Sequence, residues 1–247
     1  MRLQGKVAIV TGGAQGFGAG IAEVFAREGA KVVVTDINGE GAAKLAASLP
    51  GGAIGIGGDV SKLADVKAIV AETLKAFGKL DIIVNNAGIS HRNKPMTEVS
   101  EEEFDRVFAV NVKSIYNFAI AGVPAMKEKG GAIINIGSTA GIRPRPGLAW
   151  YNASKGAVNL VSKSMAVELA PFRIRVNAIA PVAGETPLLA TFMGQDTPEI
   201  RAKFISTIPL GRFSTPADIA NAALFLASDE ASMTTGSVLE VDGGRCI

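Results

Sequence analysis

The chain has 247 residues, of which 48% are apolar and 19% are charged, and its net charge is +2. This balance fits one large globular domain with a substantial core, and a charge so close to zero favours neither nucleic acid nor an anionic membrane as a partner. The single cysteine (Cys246) and single histidine (His91) exclude an internal disulfide, a CxxC motif and a usual catalytic zinc site, and no GxSxG elbow offers His91 a partner for serine-hydrolase chemistry.

The chain begins directly with a strand pattern, MRLQGKVAIVTGG, and lacks the layout of a signal peptide. No later run approaches the ~18 uninterrupted apolar residues that a membrane span needs. We therefore expect a cytoplasmic protein.

Short apolar runs alternate with longer amphipathic stretches along the whole chain. Most of the short runs are continuously apolar, which is typical of strands that helices cover on both faces. The predicted strands are 6–10, 31–36, 53–58, 81–86, 132–137, 174–180 and 237–241, and the predicted helices are 16–28, 39–49, 62–77, 101–127, 151–170 and 216–227. This alternation predicts a single α/β domain over residues 1–247, a Rossmann fold with a doubly wound, seven-stranded parallel sheet and helices on both faces.

One long segment, residues 183–212, has no predicted strand. It contains three prolines and mixes large apolar side chains with charged ones. It follows the carboxyl end of a strand, which is the edge where doubly wound sheets bind ligands. We interpret this segment as a substrate lid.

A glycine-rich turn, TGGAQGFG over residues 11–18, follows the first strand and opens the first helix. Gly12, Gly16 and Gly18 let the backbone turn tightly and approach a pyrophosphate at the positive N-terminus of that helix. Asp36 ends the second strand, 18 residues after Gly18, where a ribose-binding carboxylate is expected. An ordinary β–α turn, with Asp36 as a turn cap, is the alternative.

The stretch YNASK places Tyr151 and Lys155 four residues apart in a helical pattern, one turn apart on the same face. A fixed positive neighbour favours the phenolate, which otherwise forms near pH ~10. The pair could transfer protons, or it could be two side chains at a surface, and five residues do not decide between these.

Together the motifs resemble the short-chain dehydrogenase/reductase family, which includes 3-oxoacyl carrier-protein reductases and alcohol dehydrogenases. The resemblance rests on TGGAQGFG, DV at 59–60, NNAG at 85–88, Asn111, Ser138 and YNASK. These occur in the order and spacing of the family. The resemblance extends from Lys6 to VDGG at 241–244, essentially the whole chain.

The resemblance implies a catalytic role for four residues. Tyr151 would be the general acid/base, and Lys155 would lower the pKa of its phenol and hydrogen-bond the nicotinamide ribose. Ser138 would hydrogen-bond the substrate oxygen, and Asn111 would hold a water beside Lys155. A loop cap for Ser138 and a purely structural hydrogen bond for Asn111 are the alternatives.

The resemblance also implies NAD(H) as the cofactor. Asp36 would accept hydrogen bonds from the free ribose hydroxyls, and Gln15 stands where NADP-preferring relatives often carry Lys or Arg. Pro181 is followed by Val182 where the family often has glycine, which would stiffen the start of the lid. No metal is expected. The expected cofactor-binding residues are Gly12, Gln15, Gly16, Phe17, Gly18, Asp36, Ile37, Asp59, Val60, Asn86, Ala87, Gly88, Tyr151, Lys155, Pro181, Val182 and Thr186.

An apolar set of residues is expected to bind the substrate. It comprises Ser138, Ala140, Ile142, Trp150, Tyr151, Val182, Leu188, Leu189, Phe192 and Met193. Arg143 and Arg145 could contact an anionic group, but we interpret them as solvated loop charges, and His91 as an exposed loop residue.

The predicted function is NAD(H)-dependent interconversion of a secondary alcohol and a ketone. A 3-oxoacyl carrier-protein reductase, a sugar dehydrogenase and a catalytically silent dinucleotide-binding regulatory protein are the alternatives.

The helix predicted over 151–170 is apolar on two sides and must bury both. Val158, Val161, Met165 and Leu169 form one stripe, and Leu160 and Val167 lie opposite. The family resemblance implies a homotetramer that uses the second side, with help from the 101–127 helix. The other expected partner is a small-molecule ketone or alcohol.

Overall fold

In the computed structural model, which describes all 247 residues, seven parallel strands form one sheet in the order β3-β2-β1-β4-β5-β6-β7. The strands are β1 (Val7–Thr11), β2 (Lys31–Asp36), β3 (Ile54–Gly57), β4 (Ile82–Asn85), β5 (Gly131–Ile136), β6 (Ile174–Pro181) and β7 (Val238–Val241). The strand order reverses between β1 and β4, which opens a crevice beyond their carboxyl ends. The predicted Rossmann-like fold is confirmed.

Helices cover both faces of this sheet because successive side chains of each strand point to opposite faces. Ala8 and Val10 of β1 pack with the helices α1 (Gly16–Arg27), α2 (Gly39–Ser48) and α9 (Pro216–Ala227). Ile9 lies in the opposite core with α3 (Leu63–Phe77), α5 (Ser114–Met126) and α6 (Ala149–Leu169). Burial on both faces explains why the strands are continuously apolar.

The helix expected over 101–127 is interrupted. It consists of α4 (Glu101–Phe108), a π-helical segment (Ala109–Lys113) and then α5. The stretch Glu101–Met126 is long and apolar enough to cross a membrane by length and composition. Its inner side chains Phe118, Val123 and Met126 nevertheless lie in the core beneath the sheet, which accounts for its apolar character.

The proposed lid, residues 183–212, contains two short helices, α7 (Leu189–Met193) and α8 (Pro198–Ile205). A small separate apolar cluster anchors it. The members of that cluster are Val182, Leu189, Met193, Ile208 and Phe213. The lid therefore has a core of its own and lies over the carboxyl end of the sheet next to β6.

Candidate active site

A cavity of about 600 Å³ opens at the carboxyl ends of the strands. The glycine-rich turn, the loops after β2, β4 and β5, the start of α6 and the lid line it. Most of the residues that were expected to bind the cofactor line this cavity. They are Gly12, Gln15, Gly16, Phe17, Asp36, Ile37, Asp59, Val60, Asn86, Ala87, Gly88, Tyr151, Lys155, Pro181, Val182 and Thr186.

Gly18 does not border the cavity; it lies beneath the glycine-rich turn. A Cβ atom at this position would stand 2.2 Å from the Gly12 carbonyl oxygen and 2.5 Å from Asn86 Nδ2. Asn86 Nδ2 donates to the carbonyl oxygens of Thr11 and Gly12, at 2.8 and 3.1 Å. Gly18 therefore shapes the turn by allowing close packing, and a direct contact with a cofactor is not needed for that role.

Asp36 ends β2 at the cavity wall. Its Oδ2 accepts a hydrogen bond from the Ala14 amide at 3.1 Å, and its Oδ1 accepts one from the Asn38 amide at 3.0 Å. The carboxylate thus caps the turn, as the alternative interpretation proposed. It also borders the cavity, and each oxygen keeps a lone pair for a further donor.

The loop after β3 is held in a similar way. Asp59 Oδ1 accepts hydrogen bonds from the Ser61 amide at 3.0 Å and the Ser61 hydroxyl at 2.7 Å. Asn117 Nδ2 of α5 donates to the Val60 carbonyl oxygen at 2.8 Å. The side-chain contacts of Asp59 are those of a turn cap, and the loop as a whole forms part of the cavity wall.

Tyr151 and Lys155 stand on one face of α6 and point into the same cavity. Each is only 5% exposed. Lys155 Nζ lies 6.0 Å from the centre of the Tyr151 ring and donates to the Ile136 carbonyl oxygen at 2.7 Å. The two groups are therefore buried together, and the interpretation as surface side chains is wrong.

Burial shifts both groups toward their neutral forms. It raises the pKa of Tyr151 to about 12, against the opposing effect of the Ser138 hydroxyl, and it lowers the pKa of Lys155 to about 8. Lys155 Nζ donates to the Ile136 carbonyl oxygen in this arrangement and makes no hydrogen bond to the Tyr151 hydroxyl. At neutral pH the site holds a protonated phenol, which is a proton donor.

Ser138 follows β5 and reaches the same cavity. Its hydroxyl accepts a hydrogen bond from the Ala140 amide at 3.0 Å, so the capping role also exists. The loop lies against α6 because Gly141 has no side chain: a Cβ there would stand 2.6 Å from the Gly156 amide nitrogen. This contact fixes Ser138 relative to the helix that carries Tyr151.

Asn111 occupies the π-helical segment and does not border the cavity. Its Oδ1 accepts from the Ile89 amide at 2.8 Å, and its Nδ2 donates to the Ile89 carbonyl and to Ser154 Oγ, both at 2.9 Å. Ser154 Oγ in turn donates to the Tyr151 carbonyl oxygen at 2.7 Å. The side chain thus ties the loop after β4 to the turn of α6 that carries Tyr151, which is the structural alternative.

The expected substrate residues divide into two groups. Ser138, Ala140, Tyr151, Val182, Leu188 and Phe192 border the cavity. Ile142, Trp150, Leu189 and Met193 do not.

Each of the four has a different setting. Ile142 is 41% exposed. Trp150 Nε1 donates to the Met96 carbonyl oxygen at 3.1 Å. Leu189 and Met193 are buried in the lid core. A local apolar pattern could not separate these positions from those that face the cavity.

His91 is buried and only 3% exposed, so its interpretation as an exposed loop residue is wrong. Its Nδ1 lies 2.8 Å from the Arg92 carbonyl oxygen. The loop is held in place because Asn93 Nδ2 donates to the carbonyl oxygens of Pro146 and Phe192. These contacts join residues far apart in the chain, which explains why the sequence did not indicate them.

Several cavity residues were not expected from the sequence. They include Ile89, Arg106, Val110, Asn152 and Phe204, as well as the two arginines that were interpreted as solvated, Arg143 and Arg145. Ile89 directly follows the NNAG motif, a position that could have indicated it. Phe204 depends on how the lid folds back, for which the sequence offers no signal, whereas a contact of Arg143 and Arg145 with an anionic group was already considered from the sequence.

Comparison with known proteins agrees with this architecture. The family model described as Enoyl-(Acyl carrier protein) reductase matches residues 12–245. The chain is 51% identical to the 4-formylbenzenesulfonate dehydrogenase of Comamonas testosteroni and 42% identical to a 3-oxoacyl-[acyl-carrier-protein] reductase of Thermotoga maritima, over the full length of each protein.

A solved structure resembles the chain equally closely. It is the 3-ketoacyl-(acyl-carrier-protein) reductase from Brucella melitensis complexed with NADH, which has 50% sequence identity, a TM-score of 0.94 and coverage of 99% of this chain and 100% of the other. Since the family model, these relatives and the fold all agree over nearly the whole chain, the protein belongs to the short-chain dehydrogenase/reductase family.

Proposed function

We propose that this oxidoreductase interconverts a carbonyl compound and an alcohol with NAD(H), and that Tyr151 exchanges the proton. The observation that carries the proposal is that the buried Tyr151 and Lys155 line the same cavity as the half-buried Ser138. A nicotinamide bound there would supply or accept the hydride. The protein contributes the proton donor and positions the reacting oxygen.

The residues of the cavity fit a dinucleotide. The glycine-rich turn opens α1, whose amide groups favour a phosphate. Asp36 stands at the end of β2 with lone pairs for ribose hydroxyls. The preference for NAD(H) over NADP(H) is our inference from Asp36, and the Brucella relative, which was crystallised with NADH, supports it.

The substrate is proposed at the level of its chemical class. Val182, Leu188 and Phe192 form an apolar wall beside Tyr151, whose ring centre lies 4.9 Å from that of Phe192. Such a wall suits the apolar body of a ketone, the substrate predicted from the sequence. The Comamonas relative is named for an aromatic aldehyde, which would suit the same wall.

Reduction of a 3-oxoacyl group on a carrier protein is a second candidate, because two relatives carry that name. In that case a long thioester arm would have to enter the cavity from a protein partner. Sugar dehydrogenase activity has no comparable support among these residues, since the wall beside Tyr151 is apolar.

The outer side of α6 bears on assembly. Val158 and Leu169 are buried, whereas Leu160 and Val167 are 66% and 79% exposed. Because exposed apolar residues on one helix face favour a protein contact, we propose a homotetramer in which this face is covered by another subunit. Tyr116 and Ile120 of α5, also exposed, would extend that contact. We further propose a cytoplasmic location.

Replacement of Tyr151 by Phe tests the reaction. The variant keeps the ring that packs against Phe192 and loses the proton donor, so turnover should fall by ~10²–10⁴-fold. Binding of NADH, followed by its fluorescence, should remain close to wild type. Retention of more than about a tenth of the wild-type kcat would contradict the proposed role, since positioned proton donors contribute more than that.

A further inference from the structure

A group of arginines borders the cavity near the start of α6. Arg143 and Arg145 line the cavity, and Arg245 lies close to Arg145. None of the three forms an ion pair with an Asp or Glu side chain. Arg143 donates to the carbonyl oxygens of Arg245 and Ile247, at 2.7 and 3.0 Å. Its charge is therefore engaged with the end of the chain, which leaves Arg145 as the residue to consider.

Arg145 is held firmly beside the catalytic helix. Asn152, the residue after Tyr151, donates through Nδ2 to the Arg145 carbonyl oxygen at 2.8 Å. The guanidinium carbon lies 4.4 Å from the centre of the Phe204 ring, and Nη2 donates to Thr207 Oγ1 at 2.9 Å. A guanidinium has five N–H donors, and the chain uses only this one. The remaining donors have the forked geometry that binds a carboxylate, sulfonate or phosphate.

The electrostatic setting of Arg145 also lacks a negative partner. Burial lowers its pKa to about 10, and the positive charges of Arg245 and Arg143 act in the same direction. The group is still charged at neutral pH. A partly buried charge without a counter-ion is unfavourable, and a bound anion would relieve it. The interpretation of Arg145 as a solvated loop charge is therefore wrong.

The lid places one aromatic ring against Tyr151 and another against Arg145. Phe192 of α7 packs on Tyr151, and Phe204 of α8 packs on Arg145. Leu188 and Val182 border the same cavity. A single molecule that reached from Tyr151 to Arg145 would pass along an apolar, partly aromatic wall.

We infer that Arg145 determines substrate specificity by binding an anionic group on the substrate while the reacting oxygen lies at Ser138 and Tyr151. The substrate class is a carbonyl compound or alcohol with an apolar body and a carboxylate, sulfonate or similar anion at its far end. This inference rests on the proposed carbonyl–alcohol chemistry at Tyr151.

The kinetic test compares 4-acetylbenzoate with its methyl ester, a neutral ketone that is larger by one methyl group, and with 4-acetylbenzamide, a neutral ketone of nearly the same shape, using NADH. In the wild type, kcat/KM for the anion should exceed that for either neutral ketone by about 10- to 100-fold, the usual range for a charged hydrogen bond. Arg145→Gln should abolish the preference for the anion, mainly by raising its KM. Arg145→Lys should retain part of the preference, because lysine keeps the positive charge but lacks the paired N–H donors of the guanidinium. Equal efficiency with the anion and the neutral ketones in the wild type, or equal losses with all of them in Arg145→Gln, would overturn the inference.

Lys203→Gln is the matched control, because it removes one positive charge from an exposed position on α8, the lid helix that carries Phe204. It should leave the preference unchanged. Binding of NADH to Arg145→Gln should equal that of the wild type, which excludes a folding defect. If Arg145→Gln fails to fold, Arg145→Lys is compared with the wild type instead. A wild-type KM of Arg145→Lys for 4-acetylbenzoate would then contradict bidentate binding of the anion by the guanidinium.

A binding measurement separates this inference from the proposed reaction. 4-Acetylbenzoate is titrated calorimetrically into enzyme saturated with NAD⁺, because a ketone and the oxidised cofactor cannot react. Binding that weakens at least about tenfold in Arg145→Gln supports the anion site even if no ketone is turned over, an outcome that would refute only the reaction. Binding of the anion no tighter than that of the ester would refute the anion site even if both ketones were reduced.

Discussion

Removal of the charge of Asp36 should weaken the discrimination between NAD(H) and NADP(H). The two backbone amides of Ala14 and Asn38 hold the carboxylate in place, and no Lys or Arg forms an ion pair with it. The neighbouring Ile37 is 77% exposed and carries no charge. In the proposed binding mode the carboxylate of Asp36 faces the 2′ substituent of the ribose.

The magnitude follows from the charges involved. The 2′-phosphate of NADP carries nearly two negative charges. At ~4 Å and an effective dielectric constant of ~20, each like-charge pair costs up to ~4 kcal/mol before screening by salt. Strong attenuation still leaves ~2.7 kcal/mol, which corresponds to ~100-fold discrimination. We expect kcat/KM with NADH to exceed that with NADPH by about this factor.

Two variants distinguish the effect of the negative charge of Asp36 from the effect of its hydrogen bonds to the turn. Asp36→Asn keeps the size and an acceptor for one backbone amide, whereas Asp36→Ala leaves both amides without their partner. Both should narrow the NADH/NADPH ratio by at least about tenfold, and Asp36→Ala should do so mainly by weakening NADH. Glu40→Gln, at an exposed position in the first turn of α2, makes the same change of charge as Asp36→Asn and should leave the ratio unchanged.

The assay is steady-state reduction of one ketone at varied NADH or NADPH, with thermal unfolding of each variant measured in parallel. Equal efficiency with both cofactors in the wild type would refute the reasoning. So would a lower melting temperature in Asp36→Asn with an unchanged cofactor ratio, because Asp36 would then be only a turn cap.

Three further predictions concern the buried lysine, the glycine-rich turn and the assembly. Burial lowers the Lys155 pKa from 10.5 to about 8, so between these pH values the unfolded chain binds more protons and the free energy of unfolding should rise with pH. Between pH 8 and 10.5, the free energy of unfolding of the wild type in urea should rise by ~3 kcal/mol relative to that of Lys155→Met. A difference between the two proteins that does not change with pH would contradict the lowered pKa of Lys155. Gly18→Ala places a Cβ 2.2 Å from a carbonyl oxygen of the turn and should weaken NADH binding at least about tenfold. Gly156→Ala, whose Cβ would meet nothing closer than 3.8 Å, should bind NADH normally, and equal affinity of both variants would refute this role of the turn. Light scattering at micromolar concentration should give the mass of a tetramer, and Val167→Glu, at a side chain that is 79% exposed, should reduce it; a monomeric wild type would refute the proposed assembly.

The sequence by itself determined the sheet, the covering helices and the core of the candidate site. Continuously apolar runs such as KVAIV predict strands buried on both faces, and they lie within a residue or two of β1 to β7. The glycine turn and the pair of Tyr151 and Lys155 were also readable, because turn geometry and helical spacing act between residues close in the chain.

Only the tertiary structure decided which side chains meet across the chain. The π-helical segment forms where Asn111 bonds Ile89 and Ser154, 22 and 43 residues away. The burial of His91, the exclusion of Trp150 from the cavity and the contact between Arg145 and Phe204 depend on loops and short lid helices. Such segments have too few turns for an apolar period to show which face is buried, so their orientation is set by packing against distant residues.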